Sequence, residues 1–179
     1  MSKIGKINIS IPEKVKVVLN GSALNMDGPL GKKTLNIDLA TFDLKINEGK
    51  EISIKPKKID QNTKRLWGMN RSLLNNAIIG VSKGYEKTLE LVGVGFRATL
   101  KGNQLNMQLG FSHDINFNIP EGIKIVVEKQ TTLKISGYDK QKVGMVVSEI
   151  KSLRPPEPYK GKGIKEKDQY ILRKEGKKK

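Results

Sequence analysis

The sequence predicts an α+β fold of two similar small domains, each an antiparallel or mixed β-sheet covered by one main helix, followed by an extended basic tail. Short β-branched runs separated by turn residues occur in two series, and each series ends in a segment with helical periodicity. Lysine is concentrated at the C-terminal end. We place the first domain at residues 1–81, the second at 82–153 and the tail at 154–179.

Six short runs predict the strands of the first domain, because they are rich in β-branched residues and bounded by turn residues. They are Ile7–Ile11, Val15–Leu19, Leu24–Asp27, Thr34–Asp38, Phe42–Ile46 and Glu51–Ile54. Asn20 and Gly21 separate two of these runs and both tolerate positive φ, which predicts a tight hairpin with a type I′ turn. The segment Asn47-Glu48-Gly49 predicts a second hairpin.

The apolar period changes to that of a helix from Lys64 onward. We expect one face of this helix to cover the sheet and one of two glycines to end it. The face consists of Leu66, Met69, Leu73 and Ala77, and the glycines are Gly80 and Gly84. Trp67 lies near the start of the helix beside Lys64 and Arg65, where it closes the core or stacks on a base. A lone helical tryptophan is more often a core residue.

The second domain repeats this order of strands followed by a helix. Its predicted strands are Lys87–Gly93, Phe96–Lys101, Gln104–Leu109, Ile115–Ile119, Ile123–Glu128 and Thr132–Ser136, with a tight turn at Gly102-Asn103. Asp139 predicts an N-cap, and Pro155 ends the helix that follows. The buried face of that helix is predicted at Val143, Val146, Val147, Ile150 and Leu153.

Two pairs of short segments suggest that the domains are related. IPEKVKVV at Ile11–Val18 matches IPEGIKIV at Ile119–Val126, and WGM at Trp67–Met69 matches VGM at Val143–Met145. The hairpin follows the matched strands in the first half and precedes them in the second, so the repeat is imperfect. We interpret it as two related units, with chance similarity of β-rich sequences as the alternative.

The net charge of +16, from 34 basic and 18 acidic residues, favours a polyanionic partner, most often nucleic acid. Residues 151–179 carry 11 of the basic and 4 of the acidic residues, so the excess of positive charge is densest there.

The chain has no cysteine, which excludes disulfides and thiolate chemistry and fits a reducing compartment. With no signal-peptide pattern and no apolar run of membrane-spanning length, we expect a soluble, cytoplasm-like location.

Two motifs that suggest enzyme chemistry have better structural explanations. GVGFRA at Gly93–Ala98 fits the dinucleotide pattern G-x-G-x-x-A, but strand signals follow it in place of a helix, so we expect a bulge or close strand packing. His113 is the only histidine and is expected in a turn or at a strand end. A nucleotide enzyme that uses Gly93, Gly95 and the tail is the rival from another class. We predict no catalytic residue, metal site, cofactor or small-molecule substrate.

The tail has the composition of a segment that lies along a polyanion. Its prolines restrict φ and remove backbone donors, so the chain is expected to run extended. Tyr159 offers an aromatic face, and Gly161 and Gly163 permit a close backbone approach. Lysines supply the cations, at Lys160, Lys162 and Lys165. A solvated tail without a partner is the alternative.

Three motifs resemble the family of bacterial-type large-subunit ribosomal protein six over nearly the full length of the chain. They are SKIGKINISIPEKVKV near the N-terminus, LVGVGFRA in the centre and PEPYKGKGI in the tail, the last being the most specific. The resemblance implies two similar α+β domains and binding to large-subunit ribosomal RNA at the base of the lateral stalk, near the sarcin–ricin loop. It implies RNA contacts by Pro158, Tyr159, Lys160, Gly161, Lys162, Gly163 and Ile164. The chain departs from the family pattern at Lys165, Glu166 and Leu172, which puts a stacking contact at Glu166 in doubt.

The resulting hypothesis is a non-catalytic structural protein of the large ribosomal subunit, with ribosomal RNA and neighbouring ribosomal proteins as partners and no membrane partner. The residues expected to neutralise phosphates are Arg154, Lys160, Lys162, Lys165, Arg173 and Lys174. Arg97 contacts phosphate or is a solvated edge residue, and the sequence does not decide between these. An RNA-binding or assembly module outside the mature ribosome is the alternative function. The ribosome in question is cytoplasmic or organellar.

Overall fold

The computed structural model describes residues 3–47 and 50–176. The chain separates into two compact units. One runs to Gly84 and includes Tyr138–Lys140, and the other consists of Tyr85–Gly137 and the residues from Gln141 onward. The α+β class is confirmed, because each unit combines antiparallel sheets with one long helix.

The first unit contains two three-stranded sheets in which all neighbouring strands are antiparallel. Their orders are β2-β3-β4 and β1-β6-β5. The elements are β1 (Ile9–Ser10), β2 (Lys16–Asn20), β3 (Ala23–Gly28), β4 (Gly31–Asn36), β5 (Phe42–Asn47), β6 (Glu51–Pro56) and α1 (Gln61–Ser82). Side chains alternate between buried and exposed along the strands, as expected for sheets with one face on the core.

The first hairpin is confirmed, but its turn differs from the predicted one. Asn20 pairs with Ala23, so Asn20 belongs to the strand and the loop consists of Gly21 and Ser22. Gly21 has φ +59° and Ser22 has no positive φ, which is the pattern of a type II′ turn. The predicted type I′ turn is therefore wrong, because glycine stands at the first central position. In the second hairpin Asn47 pairs with Glu51, and residues 48 and 49 lie outside the described residues.

Helix α1 begins three residues before the predicted position. The backbone N–H of Asp60 donates to Thr63 Oγ1 at 2.8 Å, which satisfies a backbone group at the helix start. Gly84 ends the helix with φ +77°, and its N–H donates to the carbonyl oxygen of Gly80 at 3.0 Å. Of the two candidate end residues, the structure therefore selects Gly84.

Of the four residues predicted to form the buried face of α1, only Ala77 is buried, because the buried face is rotated by about one residue from the predicted one. Leu66 is 41% exposed and Met69 is 50% exposed, whereas Trp67 is 8% exposed. The Trp67 indole N–H donates to the carbonyl oxygen of Ile54 at 2.7 Å, so this large ring is buried with its polar group satisfied. The prediction of Trp67 as a core residue is confirmed. The other buried apolar residues of the helix are Leu74, Ala77, Ile78 and Val81.

The second unit contains a three-stranded and a four-stranded sheet, again with antiparallel neighbours. Their orders are β10-β9-β8 and β11-β12-β7-β13. The elements are β7 (Tyr85–Val92), β8 (Arg97–Lys101), β9 (Gln104–Gln108), β10 (Ile115–Asn118), β11 (Ile123–Glu128), β12 (Thr132–Gly137), α2 (Lys140–Leu153) and β13 (Gly163–Glu166). The loop between β8 and β9 is the predicted Gly102-Asn103 turn, with Gly102 at φ +60°.

Helix α2 agrees with the sequence prediction in position and in orientation. It begins directly after Asp139 and ends at Leu153, two residues before Pro155. A residue that precedes proline is disfavoured in helical conformation, which explains the end point. Val143, Val146, Val147 and Ile150 are all buried, and Leu153 packs against the same core.

The two units have the same strand topology when their elements are compared in chain order. β1–β6 and α1 correspond to β7–β12 and α2, since the neighbours β5-β6-β1 and β2-β3-β4 match β11-β12-β7 and β8-β9-β10. The matching octapeptides, however, lie on β2 and β11, which are the second and fifth strands of their units. What they share is a local turn: Val15 N–H donates to Pro12 O at 2.9 Å, and Ile123 N–H donates to Pro120 O at 3.3 Å. The repeat is confirmed for the fold, but that sequence match aligned strands that do not correspond.

Strand β13 was not predicted from the sequence. Gly163 pairs with Val92 and Ile164 pairs with Leu91, which adds part of the tail to the edge of a sheet. The three prolines precede this strand, so they do not interrupt its pairing. Ile164 is fully buried in the core of the second unit. The tail therefore has an anchored part, and the predicted domain boundaries at 81/82 and 153/154 stay predictions.

Candidate nucleic-acid interface

The chain between Glu157 and Lys162 forms a closed loop on the second unit. The N–H of Glu157 donates to the carbonyl oxygen of Lys162 at 2.8 Å, and the N–H of Lys160 donates to Glu157 Oε1 at 3.3 Å. Tyr159 is 58% exposed, and both lysines are exposed as well. We call residues 157–162 the tail loop. Its backbone is fixed by the protein's own hydrogen bonds, and its side chains point to solvent.

The two glycines of this region are required by the path of the chain. Gly161 has φ +70° and Gly163 has φ +138°, a range that residues with a side chain rarely adopt. A β-carbon on Gly163 would lie 2.6 Å from the carbonyl oxygen of Pro155 and equally close to the α-carbon of Pro156. Both glycines are buried. The steric requirement at Gly163 is therefore internal, whereas the sequence suggested a close approach to a ligand.

The last described residues return to the tail loop. The N–H of Lys174 donates to the carbonyl oxygen of Pro158 at 2.8 Å, and the Arg173 guanidinium lies 3.7 Å from the position of a β-carbon on Gly161. Lys160, Lys162, Arg173 and Lys174 are thus brought together at the tail loop. None of these four forms an ion pair with any residue in the described ranges. We call these four residues the cation cluster.

Two residues predicted to contact RNA have partners within the chain. The side chain of Ile164 is fully buried in the hydrophobic core of the second unit. Lys165 forms an ion pair with Glu90, at 3.0 Å between Nζ and Oε2. The charge of Lys165 is therefore partly compensated, and Ile164 anchors the tail.

Glu166 forms two ion pairs, one with a lysine of β7 and one with a lysine of α2. Its carboxylate lies 2.7 Å from Lys87 Nζ and 3.6 Å from Lys151 Nζ. The hydrogen bond from Lys87 is the largest influence and, with the charges of both lysines, lowers the pKa of Glu166, while partial burial opposes the shift. This residue holds β13 against β7 electrostatically.

Arg154 forms part of an aromatic cluster that sequence reasoning missed. Its guanidinium carbon lies 5.0 Å from the centre of the Phe111 ring, and Phe111 in turn stacks on His113 with ring centres 6.1 Å apart. Phe111 is 41% exposed. His113 lies in a bend before β10, as predicted. A sequence signal for Phe111 was lacking, because a phenylalanine that follows a strand is usually a core residue.

The loop Gly93–Phe96 lies between two strands, so a strand follows the G-x-G motif as predicted, but the glycines form a turn where a bulge or close strand packing was expected. The N–H of Phe96 donates to the carbonyl oxygen of Gly93 at 3.3 Å, and a β-carbon on Gly93 would lie 2.9 Å from the Phe96 ring. Val94 at the tip is 92% exposed. The helix N-terminus that a pyrophosphate site requires is missing, because β8 begins at Arg97.

This loop and the tail line one concave surface of about 330 Å³. Its lining residues are Val94, Phe96, Arg154, Pro155, Glu157 and Lys162. Apolar side chains, two cations and the carboxylate of Glu157 line it, so a sugar or base could contact Val94 and Phe96 while Lys162 and Arg154 meet phosphates. Arg97 is exposed at the start of β8, directly after this loop.

Within the described ranges, no three histidine or acidic side chains converge as a metal site would require. No helix of residues 3–47 and 50–176 is long and apolar enough to cross a membrane.

Comparison with known proteins gives matches over the whole chain. The model of a family described as ribosomal protein L6 matches residues 92–167. The large ribosomal subunit protein uL6 of Beijerinckia indica is 46% identical over 179 residues, which covers 100% of both chains. The proteins of the same name from Magnetococcus marinus and Erythrobacter litoralis are 45% and 47% identical over 180 residues, again with 100% of both chains covered. The resemblance of the three sequence motifs is therefore confirmed.

Proposed function

The chain belongs to the ribosomal protein L6 family, and we propose that it is a structural constituent of the large ribosomal subunit that binds ribosomal RNA through its second unit. In this role the protein stabilises RNA structure for translation and has no catalytic function of its own. The relatives that cover the full chain are named as large-subunit proteins, which supports this assignment.

The observation that carries the proposal is the cation cluster beside the tail loop. Lysine and arginine side chains without a carboxylate partner in the described part of the chain keep their full charge for phosphates. The loop beneath them is held by backbone hydrogen bonds, so little ordering is needed when RNA binds. Tyr159 adds an exposed ring at the tip of the same loop.

Contacts of this kind favour RNA shape over RNA sequence. Three of the four residues of the cation cluster are lysines, which act as point charges and lack the planar fork by which arginine forms bidentate contacts. The deep major groove of an RNA helix also excludes side chains. We therefore infer that the cation cluster follows the phosphate backbone, with Tyr159 and the concave surface at Val94 and Phe96 contacting sugar or unpaired bases.

The location of the bound RNA, the protein partners and the kind of ribosome are inferred from the family resemblance. We propose that the bound RNA lies at the base of the lateral stalk near the sarcin–ricin loop, that neighbouring large-subunit proteins are further partners, and that the ribosome is a cytoplasmic one of bacterial type. The contact residues are those of the cation cluster with Arg154, Pro158 and Tyr159, while the buried Gly161 would shape the loop that presents them. Gly163 and Ile164 would act by holding the tail loop in place, and Lys165 would contribute a charge shared with Glu90.

A salt titration of RNA binding tests the cluster directly. Binding of the full chain to transcribed large-subunit ribosomal RNA is measured against salt concentration for the wild type and for the double variant Lys160→Gln/Lys162→Gln. The slope of log K against log[salt] should decrease in magnitude by about 1.5, since each phosphate contact contributes about 0.7–0.9. Affinity should fall about tenfold at constant salt.

Lys142→Gln is the matched control, because Lys142 is an exposed lysine on α2 of the same unit. Its slope should equal that of the wild type. A loss in this single variant of about half the loss in the double variant would reduce the effect to net charge and contradict the proposed site. Co-sedimentation with large subunits through a high-salt wash distinguishes the proposed function from an RNA-binding module outside the ribosome. Release of the protein from subunits, with undiminished binding to small-subunit RNA, would favour that alternative.

A further inference from the structure

One sheet of the first unit has a strand position that is only partly filled. In the second unit β7 pairs with β12 over six residues, from Tyr85 to Glu90. The corresponding strand β1 pairs with β6 only at Ile9 and Ser10. The pair Ile9 and Ile52 of the first unit corresponds to the pair Leu89 and Leu133 of the second. In this alignment residues 53–56 of β6 correspond to residues 134–137 of β12, which pair with residues 85–88 of β7. No described residue pairs with β6 as a strand there.

An apolar groove of about 410 Å³ occupies this position, a volume that admits two or three side chains. Its floor is formed by Ile54 and Trp67, which are 3% and 8% exposed. The indole N–H bond to the Ile54 carbonyl oxygen fixes the ring. Pro56 and Ile59 form the wall, and Ile59 is 61% exposed although it is a large apolar residue.

The charges around the groove are of one sign. Lys6, Lys55 and Lys64 line it, and no aspartate or glutamate is among its lining residues. None of the three lysines forms an ion pair with another residue of the described ranges. A partner that fills the groove therefore gains from apolar groups at its floor and from carboxylates at its rim.

We propose that this groove, which we call the β6 groove, docks an extended segment of another protein in which apolar and acidic residues alternate. An extended segment fits because the second unit holds a strand at the corresponding position, and alternate side chains of a strand point to opposite faces. The apolar residues would enter the groove and the acidic residues would contact the lysines. RNA fits less well, since the ring of Trp67 is too buried to stack with a base and the rim contains no arginine.

Trp67 is the only tryptophan of the chain, so its emission reports on the floor of the groove. The probe is a short fluorescein-labelled peptide in which leucine alternates with aspartate, added to the full chain. We expect increased anisotropy of the label and a change in Trp67 emission. The variant Ile59→Asp should weaken binding more than about tenfold, because it removes a buried apolar contact and adds a like charge. Lys64→Glu should weaken it severalfold.

Leu30→Asp is the matched control, because Leu30 is 53% exposed, lies in a turn of the same unit and does not line the groove. It should bind as the wild type does. A peptide in which lysine replaces aspartate should not bind. The proposal is overturned if the acidic peptide fails to bind, if Ile59→Asp binds it as the wild type does, or if a short single-stranded RNA displaces it and loses affinity in the same variants.

Discussion

In the first unit the sheet that contains β6 ends at β1, a strand of two residues, whereas in the second unit the corresponding sheet continues through the eight-residue β7 to β13. The strands and the helix otherwise correspond in order and direction. What differs is the chain on either side of the repeat. Residues before β1 leave the β6 groove open, and residues after α2 return to the sheet and carry the cation cluster with them.

This comparison teaches that unpaired strand positions of one scaffold can serve two purposes. A free edge is available for pairing, and proteins either cover it or use it. The second unit covers its edge with its own tail, which fixes charged side chains at a defined place. The first unit leaves a different position unfilled: residues 53–56 of β6 correspond to the part of β12 that pairs with β7, and in the first unit apolar side chains and lysines meet there.

The largest effect is expected for Gly163→Val, which should detach the tail from the second unit alone. The new side chain would overlap Pro155 and Pro156 and hold φ at +138°, and these two costs together amount to about 4 kcal/mol. Hydrogen exchange of the β7 amides should accelerate strongly, while urea unfolding followed by Trp67 emission, which reports on the first unit, should not change.

Gly176→Val is the control for this change, since no atom lies within 4 Å of a β-carbon built there. It should leave exchange in β7 unchanged. If Gly163→Val accelerates β7 exchange and also lowers the urea midpoint reported by Trp67 emission, the two units unfold together. The comparison of independent units is then wrong.

A smaller effect is expected for Ile164→Ala, which tests whether β13 belongs to the core of the second unit. Removing this fully buried side chain should lower the free energy of unfolding of that unit by about 3 kcal/mol. Ile7→Ala is the counterpart before β1 in the first unit, where the side chain is 58% exposed, and should change stability by less than about 0.5 kcal/mol. Trp67 emission during urea unfolding measures the change in the first unit, and hydrogen exchange of the β7 amides measures the change in the second. Equal losses of stability in the two variants would contradict the asymmetry of the two edges.

The sequence predicted elements well where one signal dominated. The face of α2 was read correctly because its only apolar stripe is the buried one, at Val143, Val146, Val147 and Ile150. Helix α1 offers two apolar stripes that differ by one residue, and the choice between them depends on the Ile54 carbonyl that accepts the Trp67 indole N–H. That partner lies in another element, so periodicity along the helix could not identify it.

The candidate site was predictable in its composition but not in its geometry. The tail loop and its lysines follow from local residue types, whereas the return of Lys174 to Pro158 and the stacking of Arg154 on Phe111 join residues that are distant in sequence. Strand β13 escaped prediction because a strand of four residues with charged neighbours resembles a solvated tail. Its pairing depends on the free edge that β7 presents.

The smallest effect is the pH dependence that Glu166 contributes to the stability of the second unit. The hydrogen bond from Lys87, assisted by Lys151, lowers the pKa of Glu166 in the folded state below its usual value of about 4.3. The ion pairs therefore stabilise the fold fully above that usual value, and the contribution is lost as pH falls through the lower, folded-state pKa. For a partly exposed pair the contribution is at most about 1 kcal/mol. Glu166→Gln should thus lower the stability of the second unit at pH 7 and match the wild type near pH 3, whereas Glu149→Gln on the exposed face of α2 should match the wild type at both pH values. A gap between Glu166→Gln and the wild type that is equal at both pH values would show that the carboxylate charge does not hold β13 to β7.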